Sequence, residues 1–286
     1  MSNLDEMLHR HGQKGIFVLY HSQEALCGKC RAERTIEHMR NSDCFTIKNN
    51  KIPTDKPNED CFRCDDASGI YIVMDGVTRD RVNGIYPNPS PAAVVTELAT
   101  ETLYTELLRQ KADGTWDLHA AMMHANKAAA DYNQAHPEVA ADFEAGCVGV
   151  VCIIDGNTLQ YACIGDCIGK ILMEDEFCTF TENQTAEVTK HKKEFTAHEI
   201  RHNICNNSSH PCGYGVLNGL PGAEDFVRTG TIQLAEEACI FLSSDGCEAV
   251  YAMADPDELK TAAAEDLVVK YTTVPNAGDR TFMIIK

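Results

Sequence analysis

The sequence has no long apolar run and relatively few basic residues, and both absences limit what the protein can do. No apolar stretch approaches the roughly 18 residues that a membrane-spanning helix needs. Residues 1–14 are polar and charged, without the apolar centre of a signal peptide. Lysine and arginine number 25 against 43 acidic residues, so the net charge of −18 repels nucleic acids and anionic membranes. We therefore expect a cytoplasmic protein with no nucleic-acid partner and no membrane partner.

Internal repeats and low-complexity tracts are also absent, and the composition is that of a folded chain. Hydrophobic residues make up 44% and charged residues 24%, which is enough apolar material for an ordinary core. The length of 286 residues lies within the range of one large sandwich or barrel domain. Cysteine, in contrast, is plentiful, with 14 residues. In a cytoplasmic chain we expect these to be free thiols rather than a disulfide framework.

Four of the cysteines form two Cys-x-x-Cys pairs, which are typical of zinc sites and of redox motifs. The second pair, Cys61 and Cys64, lies in a predicted strand, where side chains three residues apart point to opposite faces. This spacing argues against a zinc site. Too little chain surrounds the first pair, Cys27 and Cys30, to complete a thioredoxin-like unit. We assign no role to either pair.

Apolar patterning and turn residues predict an α+β chain. An N-terminal extension over residues 1–41 contains a predicted strand and a predicted helix, and the rest of the chain forms the main domain. Further strands are predicted over 44–48, 61–65, 70–75, 148–154, 158–164, 238–242 and 281–285. Long helices are predicted over 91–111, 117–135 and 256–271, and residues 174–209 form a polar region that is partly helical. This order suggests a sandwich with helices on the sheet faces.

Six acidic residues stand at the ends of predicted strands. Three follow the end of a strand, and three lie at or just before the start of one: Asp75, Asp166 and Asp245, then Glu59, Asp60 and Asp279. In an antiparallel sheet the end of one strand lies beside the start of its neighbour, so the six can share one edge. Crowded carboxylates repel one another, and hard divalent cations relieve that repulsion. The alternative interpretation is that each Asp-Gly pair is a simple turn.

The set of six acids contains no histidine or cysteine. Oxygen ligands alone favour magnesium or manganese over zinc. An aspartate at the end of a buried strand, such as Asp75 after residues 70–74, is held on a rigid element while it faces solvent. The sequence therefore predicts a magnesium or manganese site at one edge of a sheet.

Four blocks of this sequence, in the same order, resemble the protein phosphatase 2C family, the metal-dependent PPM-type serine/threonine phosphatases. The resemblance covers about residues 42–286, and its shared order makes it more specific than any single motif. The blocks are Asn58-Glu59-Asp60, similar to N-(E/Q)-D; Val73-Met74-Asp75-Gly76, similar to the start of DGHGG; the hairpin over 146–171 with Ile164-Gly165-Asp166-Cys167 in place of GDS; and Ser244-Asp245-Gly246 with Asp279-Arg280-Thr281, similar to SDG and DN-(I/V)-T.

The resemblance implies an αββα sandwich of two mainly antiparallel sheets flanked by helices, with a phosphatase domain over residues 42–286. It also implies two magnesium or manganese ions, with a possible third. Asp75 would bridge the two ions, the Gly76 carbonyl would join one of them, and Asp245 and Asp279 would complete the other. Glu59 and Asp60 would act directly or through water, and Asp166 would hold the third ion. Asp75, Asp245 and Asp279 would thus be the catalytic set.

The activity implied by the resemblance is hydrolysis of phosphoserine and phosphothreonine by direct attack of a metal-bridging hydroxide. The cations would neutralise charge on the phosphoryl oxygens, so that no covalent enzyme intermediate is needed. The expected partner is therefore a phosphorylated protein or a small phosphomonoester. The sequence gives no indication of the oligomeric state.

The sequence departs from the family around the expected phosphate site. Asp55 stands where the family has a phosphate-gripping arginine, and Lys56 beside it offers only a point charge. Arg79 and Arg81 are candidate replacements, with Lys56 and Arg79 as the predicted phosphate-binding residues. The glycines after the Asp-Gly pair are missing from residues 77–80. The histidine that eukaryotic members use as a general acid is missing too, as it often is in bacterial members.

These departures leave two alternatives open. The chain can be a pseudophosphatase or regulatory binding domain that keeps metal but has little turnover. It can also be a phosphatase for a non-protein phosphomonoester. The presence of Asp75, Asp245 and Asp279 favours an active enzyme, whereas the missing arginine favours the alternatives.

Overall fold

The structure, a computed structural model, describes residues 40–140, 143–173, 175–275 and 277–286. In these residues the strands form two five-stranded antiparallel sheets. The predicted strand and helix of the N-terminal extension, with Cys27 and Cys30, lie outside the described residues. The strands are β1 (Ser42–Ile47), β2 (Cys61–Asp65), β3 (Ile70–Gly76), β4 (Cys147–Asp155), β5 (Thr158–Ile164), β6 (Ile168–Met173), β7 (Glu176–Thr179), β8 (Arg228–Gln233), β9 (Cys239–Ser243) and β10 (Arg280–Ile285). The sheet orders are β1-β10-β9-β6-β7 and β2-β3-β4-β5-β8.

Helices cover the outer faces and several of the connections. They are α1 (Pro91–Asp113), α2 (Leu118–Ala135), α3 (Pro137–Ala140), α4 (Ala186–His191), α5 (Ala197–Glu199), α6 (Glu248–Met253), α7 (Pro256–Thr261) and α8 (Ala264–Thr272). A π-helical turn over Ile200–Ile204 continues α5, and single 3-10 turns cover Lys192–Glu194, Pro221–Phe226 and Asp245–Cys247. None of the helices in the described ranges is long and apolar enough to cross a membrane.

The long helices α1 and α2 begin and end where their capping residues dictate. Ser90 caps α1 by accepting a hydrogen bond from the Ala93 amide at 3.3 Å, and Pro91 occupies the first helical position. Gly114 ends α1 in the left-handed conformation, with φ of 69°. Asp117 then caps α2 by accepting from the Ala120 amide at 2.8 Å. These local signals explain why both helices were predictable from the sequence.

Strand β3 shows how the layers are built. Ile70, Ile72 and Met74 point to one face and pack against α1 and α2. Tyr71 and Val73 point to the other face and pack against β9 and β10 of the opposite sheet. Because both faces of β3 are covered, its apolar run is continuous rather than alternating.

A third core closes the sandwich on the other side. Phe241 of β9 and Phe282 of β10 pack against α8 through Leu267 and Val268. The order of layers is therefore α1 and α2, one sheet, the other sheet, then α6 to α8. This confirms the predicted αββα sandwich of two antiparallel sheets flanked by helices.

The single helix predicted over 256–271 was wrong, because α7 ends at Thr261 and α8 begins at Ala264. Ala262 and Ala263 are extended, with ψ of 160° and 152°. The Ala264 amide, at the start of α8, donates to the Asp43 carboxylate of β1 at 2.7 Å. A residue 221 positions away thus caps the second helix, and no local sequence signal reports such a contact.

The polar region predicted over 174–209 also contains a strand that the patterning missed. Strand β7 lies at the edge of its sheet and is largely exposed, so it lacks the apolar alternation of a buried strand. Strand β8, at the edge of the other sheet, was missed for the same reason.

Candidate metal centre

Two of the six acids meet at one end of the sheet that contains β3. Asp75 is the last residue but one of β3, and Asp60 directly precedes β2. The antiparallel register pairs Cys61 with Met74, which brings Asp60 and Asp75 to the same edge. The geometry is the one that the sequence predicted for this pair.

Three further acids gather at the adjoining end of the other sheet. Ser243, the last residue of β9, pairs with Phe282 of β10 and with Ile168 of β6. The residues that flank these three strand ends are therefore neighbours. They include Asp166 before β6, Asp245 after β9 and Asp279 before β10.

A serine joins the two edges. Ser244 Oγ donates to Asp60 Oδ2 at 2.7 Å, which links the end of β9 to the start of β2 in the opposite sheet. The same Oγ accepts a hydrogen bond from the Thr281 amide at 3.0 Å. Both sheets thus contribute carboxylates to one acidic cluster, which consists of Asp60, Asp75, Asp166 and Asp245.

The acidic cluster raises the pKa values of its own members. Removal from water and then the charges of Asp60, Asp245 and Asp166 raise the pKa of Asp75 well above its usual value. Burial also raises the pKa of Asp60 to about 6 and, together with the charge of Asp245, that of Asp166 to about 6. The pKa of Asp245 is raised by burial as well. Such shifts mean that the ionised cluster needs positive charge.

The donor set fits a hard divalent cation. The carboxyls of Asp60 and Asp75 lie close enough to influence each other's pKa, and two ionised carboxylates, which are both acceptors, need a shared proton or a cation between them. Asp60 Oδ1 is buried and receives no hydrogen bond. Oxygen-only ligands suit magnesium and manganese. However, no three His, Cys, Asp or Glu side chains of the described part converge closely enough to enclose a metal ion.

Asp279, a predicted ligand, is held differently from the acidic cluster. Its Oδ1 accepts hydrogen bonds from the Asn49 amide at 2.6 Å and from Asn49 Nδ2 at 2.9 Å. Its Oδ2 accepts from the Glu59 amide at 3.3 Å and pairs with the Lys56 ammonium at 2.5 Å. Both oxygens of this buried carboxylate therefore already have donors. It still lies close enough to Asp60 for its charge to raise that residue's pKa.

Glu59 shares the same ammonium. Lys56 Nζ lies 2.9 Å from Glu59 Oε2, and Tyr86 and Ser90 donate through their hydroxyls to Glu59 Oε1. Burial lowers the pKa of Lys56, but the charges of Glu59 and Asp279 outweigh it and hold that pKa above its usual value. Lys56 is therefore a charged, largely buried cation placed between two of the six predicted ligands.

The glycines of two Asp-Gly pairs serve close backbone approach. A Cβ on Gly76 would lie 2.8 Å from the Glu59 carbonyl oxygen, and a Cβ on Gly246 would lie 2.1 Å from the Asp279 carbonyl oxygen. Neither Gly76 nor Gly246 has a positive φ, so the backbone conformation does not require glycine at these positions. Their Asp-Gly pairs are therefore not simply turns. Only glycine allows these strand ends to touch the segments that carry the other acids.

The residues around the expected phosphate site also pair with one another. Asp55 forms a two-point ion pair with Arg81, at 2.7 Å and 2.6 Å, and the hydrogen bond from Arg81 holds the pKa of Asp55 below its usual range. Arg79 donates to the carbonyls of Val139 and Phe143, and its guanidinium lies over the Phe143 ring. The structure thus places Lys56 among the acids and places Arg79 and Arg81 in loop contacts.

Several residues of the site had no signal in the sequence. Asn49 binds Asp279 across 230 positions of sequence, and Thr185 donates to Asp166 at 2.8 Å. Tyr86, which donates a hydrogen bond to Glu59, lies in the loop after β3, where the family's glycines are missing. Ser244 was visible as part of a Ser-Asp-Gly block, but its link to Asp60 depends on the packing of the two sheets.

Comparison with known families gives one match to a family model. The model described as protein phosphatase 2C matches residues 43–199, which is more than half of the 286 residues. The matched part contains Glu59, Asp60, Asp75 and Asp166, whereas Asp245 and Asp279 follow it. No curated protein sequence matches the chain.

Solved structures of bacterial phosphatases share the fold at low sequence identity. The Mycobacterium tuberculosis serine/threonine phosphatase PstP/Ppp is 17% identical, with a TM-score of 0.62 over 86% of this chain and 98% of that chain. The PstP catalytic domain in complex with two manganese ions is also 17% identical, with a TM-score of 0.59 over 86% and 97%. The S. agalactiae serine/threonine phosphatase is 15% identical, with a TM-score of 0.58 over 86% and 98%.

Proposed function

The chain belongs to the protein phosphatase 2C family, and from this premise we propose that it is a metal-dependent phosphatase of phosphoserine and phosphothreonine in proteins. One observation carries the proposal. The Asp60 and Asp75 carboxyls are in contact at the junction of the two sheets, with one buried Asp60 oxygen that has no hydrogen-bond donor. Asp166 and Asp245 add further negative charge to the same place. A site of this kind has little stability unless cations enter it.

We propose magnesium or manganese as the cofactor, with two ions and a possible third. The residues that would hold them are Asp75, the Gly76 carbonyl, Asp245, Asp279, Glu59, Asp60 and Asp166. When bound, such ions neutralise charge on phosphoryl oxygens and make water more acidic. Support for this assignment comes from the oxygen-only donor set and from its position at the ends of rigid strands.

The chain's own residues keep the site in order. Ser244 fixes the Asp60 carboxylate through a 2.7 Å hydrogen bond, and Tyr86 fixes Glu59 through one of 2.6 Å. Lys56 neutralises part of the charge on Glu59 and Asp279. These contacts hold the carboxylates in position before substrate arrives, so that less ordering is required during the reaction.

Lys56 and Arg79 are the residues that we propose for phosphate binding. Lys56 offers an ammonium inside the site, and a phosphoryl group can attract it as a point charge. Arg79 is held in place by two backbone carbonyls and by the Phe143 ring. Neither residue stands at the sequence position of the family's arginine. We therefore expect phosphate to bind more weakly than it does to an arginine that makes two parallel hydrogen bonds.

A second candidate function is supported by the ion pair between Asp55 and Arg81. At the position of the family's phosphate-binding arginine, this chain has Asp55, whose carboxylate pairs with both terminal nitrogens of the Arg81 guanidinium. This arrangement suits a protein of the same fold that holds metal with little turnover, or a phosphatase of non-protein phosphomonoesters. The two functions differ in turnover and in substrate, so one set of assays separates them.

Manganese-dependent hydrolysis of p-nitrophenyl phosphate tests the proposed function. We expect turnover that requires manganese and that falls by at least about 100-fold in Asp245→Asn, the scale of losing one preorganised electrostatic contact. Asp155→Asn is the matched control, because Asp155 is an exposed Asp-Gly aspartate in the turn at the opposite end of β4. This variant should keep wild-type turnover.

Two results of the same assay would contradict the proposed function. Folded wild-type protein without turnover, or an Asp245→Asn variant as active as wild type, would rule out the enzyme proposal. Once turnover is established, phosphopeptides are compared with small phosphate esters. A higher kcat/KM for phosphopeptides supports a protein substrate, and the reverse order supports a small phosphomonoester.

A further inference from the structure

Two of the cysteines differ from the rest in their surroundings. Most cysteines of the described ranges are buried thiols, whereas Cys64 and Cys178 are exposed. Cys178 lies on the exposed edge strand β7. Cys64 lies on β2, which contacts β1, and its thiol is close enough to that of Cys44 on β1 for each to shift the pKa of the other. Cys44 is partly buried, and both members of this pair are free thiols.

The strand registers explain why these thiols meet. Cys44 pairs with Met283 across β10, and Cys64 pairs with Tyr71 across β3. Met283 and Tyr71 both belong to the core between the two sheets. Since directly paired residues point to the same face, both cysteines face this core. Strands β1 and β2 are edge strands of their sheets, so the thiols meet where the two edges come together.

The other cysteine of the Cys-x-x-Cys pair does not take part. Cys61 lies three residues earlier on β2 and points to the opposite face, where its thiol contacts Thr100 of α1. Burial raises the pKa of Cys61 to about 11. Cys64 therefore faces Cys44 across the two sheets. The opposite orientation expected for Cys61 and Cys64 is observed.

The surroundings make Cys64 the more nucleophilic partner. The hydrogen bond with Cys44 lowers the pKa of Cys64 to about 7, with help from Ser42 and the charge of Arg63. The same hydrogen bond raises the pKa of Cys44. A partly ionised, exposed thiol beside a second thiol is the arrangement of a peroxide-sensitive cysteine with its resolving partner.

We propose that Cys44 and Cys64 are a peroxide-reactive dithiol that closes to a disulfide between β1 and β2. The Cys64 thiolate attacks one oxygen of hydrogen peroxide, the O–O bond breaks, and Cys64 sulfenic acid and hydroxide form. Cys44 then attacks the sulfenic sulfur, the S–O bond breaks, and a disulfide and water form. The dithiol loses two electrons and two protons, and peroxide becomes two waters.

The position of this disulfide gives it a structural consequence. It would join the two ends of residues 45–63, the segment that carries Lys56, Glu59 and Asp60. Closing such a segment restricts the unfolded chain and ties the two sheets together at one edge. The proposal does not depend on phosphatase activity, because it rests on the thiols alone.

Peptide mapping after peroxide treatment tests the proposal on the full chain. Trypsin releases Cys44 in residues 41–48 and Cys64 in residues 64–79, with Cys61 in a separate peptide. After reduction and then exposure to hydrogen peroxide, we expect these two peptides linked, with a mass two hydrogens below their sum. Dithiothreitol should separate them again.

Three variants make the outcome decisive. Cys64→Ser should abolish the linked peptide and slow loss of the Cys44 thiol by at least tenfold. Cys44→Ser should leave a sulfenic acid on Cys64, which dimedone traps. Cys178→Ser, which removes an exposed cysteine outside the pair, should behave as wild type. No linked peptide in folded wild-type protein, oxidation of Cys178 as fast as Cys64, or linkage of Cys64 to another cysteine would overturn the proposal.

Discussion

Lys56 is the residue that separates the six predicted ligands into two groups. Its ammonium lies between Glu59 and Asp279. Among the described residues, no lysine or arginine forms an ion pair with Asp60, Asp75, Asp166 or Asp245, although the charges of Lys51 and Lys56 reach Asp245. A buried ion pair contributes little net stability when intact, but removal of one partner leaves an uncompensated charge. Lys56 therefore supplies positive charge at one side of the metal-free site, whereas the other side depends on metal ions alone.

Removing this ammonium should destabilise the metal-free protein. We expect Lys56→Met to lower the free energy of unfolding by roughly 3 kcal/mol, the scale for breaking a buried ion pair. Added manganese should recover part of the loss, because it replaces the missing ammonium as the positive charge beside Glu59 and Asp279. Urea unfolding with and without manganese measures both effects.

An exposed ion pair with the same sequence spacing provides the control. Lys190 pairs with Glu187 three residues away, and both side chains are more than half exposed. Lys190→Met should change the free energy of unfolding by no more than about 0.5 kcal/mol. Equal losses in both variants, or no loss in Lys56→Met, would contradict the role given to Lys56.

At the residue scale, the sequence was sufficient to identify the acidic residues at the strand ends, but not the residues that donate hydrogen bonds to them. Asp60 and Asp75 stand at predicted strand ends, and antiparallel pairing alone brings them together. Asn49, which binds Asp279, is an ordinary asparagine in a connection, 230 positions away. Its role depends on the arrangement of β1 beside β10, which no local pattern encodes. The ion pair of Asp55 with Arg81 is equally a product of loop packing.

At the scale of elements, the site depends on strand ends that touch neighbouring backbone. Gly76 ends β3 against the Glu59 carbonyl and the Thr96 hydroxyl, each of which would lie 2.8 Å from a Cβ at this position. Any side chain there pushes β3 away from the segment that carries Glu59 and Asp60. The Asp-Gly pair is therefore a packing requirement of the sandwich as well as a ligand position.

A methyl group at Gly76 should disturb both stability and metal binding. We expect Gly76→Ala to cost about 1–3 kcal/mol of unfolding free energy, the usual effect of overpacking, and to weaken manganese affinity. Gly278→Ala is the control, since Gly278 lies beside Asp279 but a Cβ there has no neighbour within 4 Å. Thermal unfolding and manganese titration give the two values. Equal behaviour of the two variants would refute the close-approach argument.

Sequence patterning predicted most of the buried elements, but it missed β6, which is largely buried, as well as the exposed edge strands β7 and β8. The bounds of β2 and β5 agree with prediction, and a turn follows each of these strands directly. The division between α7 and α8 was missed because the cap on α8 comes from Asp43 of β1. Strand β7 was missed because an edge strand with exposed side chains has a polar sequence.

At the scale of the whole molecule, negative charge is concentrated where two sheets meet. The chain has a net charge of −18, and burial of several carboxylates together adds to the cost of the folded state at neutral pH. The fold therefore stores electrostatic repulsion that protons or cations can relieve. This coupling makes stability depend on both pH and divalent metal.

The pH dependence has a definite sign. The pKa of Asp166 is raised from 3.8 to about 6 by burial and by Asp245, so the folded state binds its proton more tightly than the unfolded state. The stability that this proton contributes is present below the unfolded pKa and is lost as pH rises through the folded value. Without metal, Asp166→Asn should therefore be close to wild type near pH 4 and exceed it by roughly 3 kcal/mol above pH 7.

Urea unfolding of both proteins across this pH range, in the presence of a chelator, measures the difference. Manganese should reverse the order above pH 7, because it stabilises the ionised wild-type cluster. A variant that is less stable than wild type at neutral pH without metal would show that Asp166 is not under the strain described.

Manganese binding to Asp75→Asn tests the central claim that the acidic cluster at the sheet junction is a metal centre. Isothermal titration should give two manganese ions for wild type and for the exposed control Asp155→Asn. Asp75→Asn should bind manganese about 100-fold more weakly or not at all, because the Asp75 carboxylate lies near all three other members of the acidic cluster. Wild-type affinity and stoichiometry in folded Asp75→Asn would contradict the account.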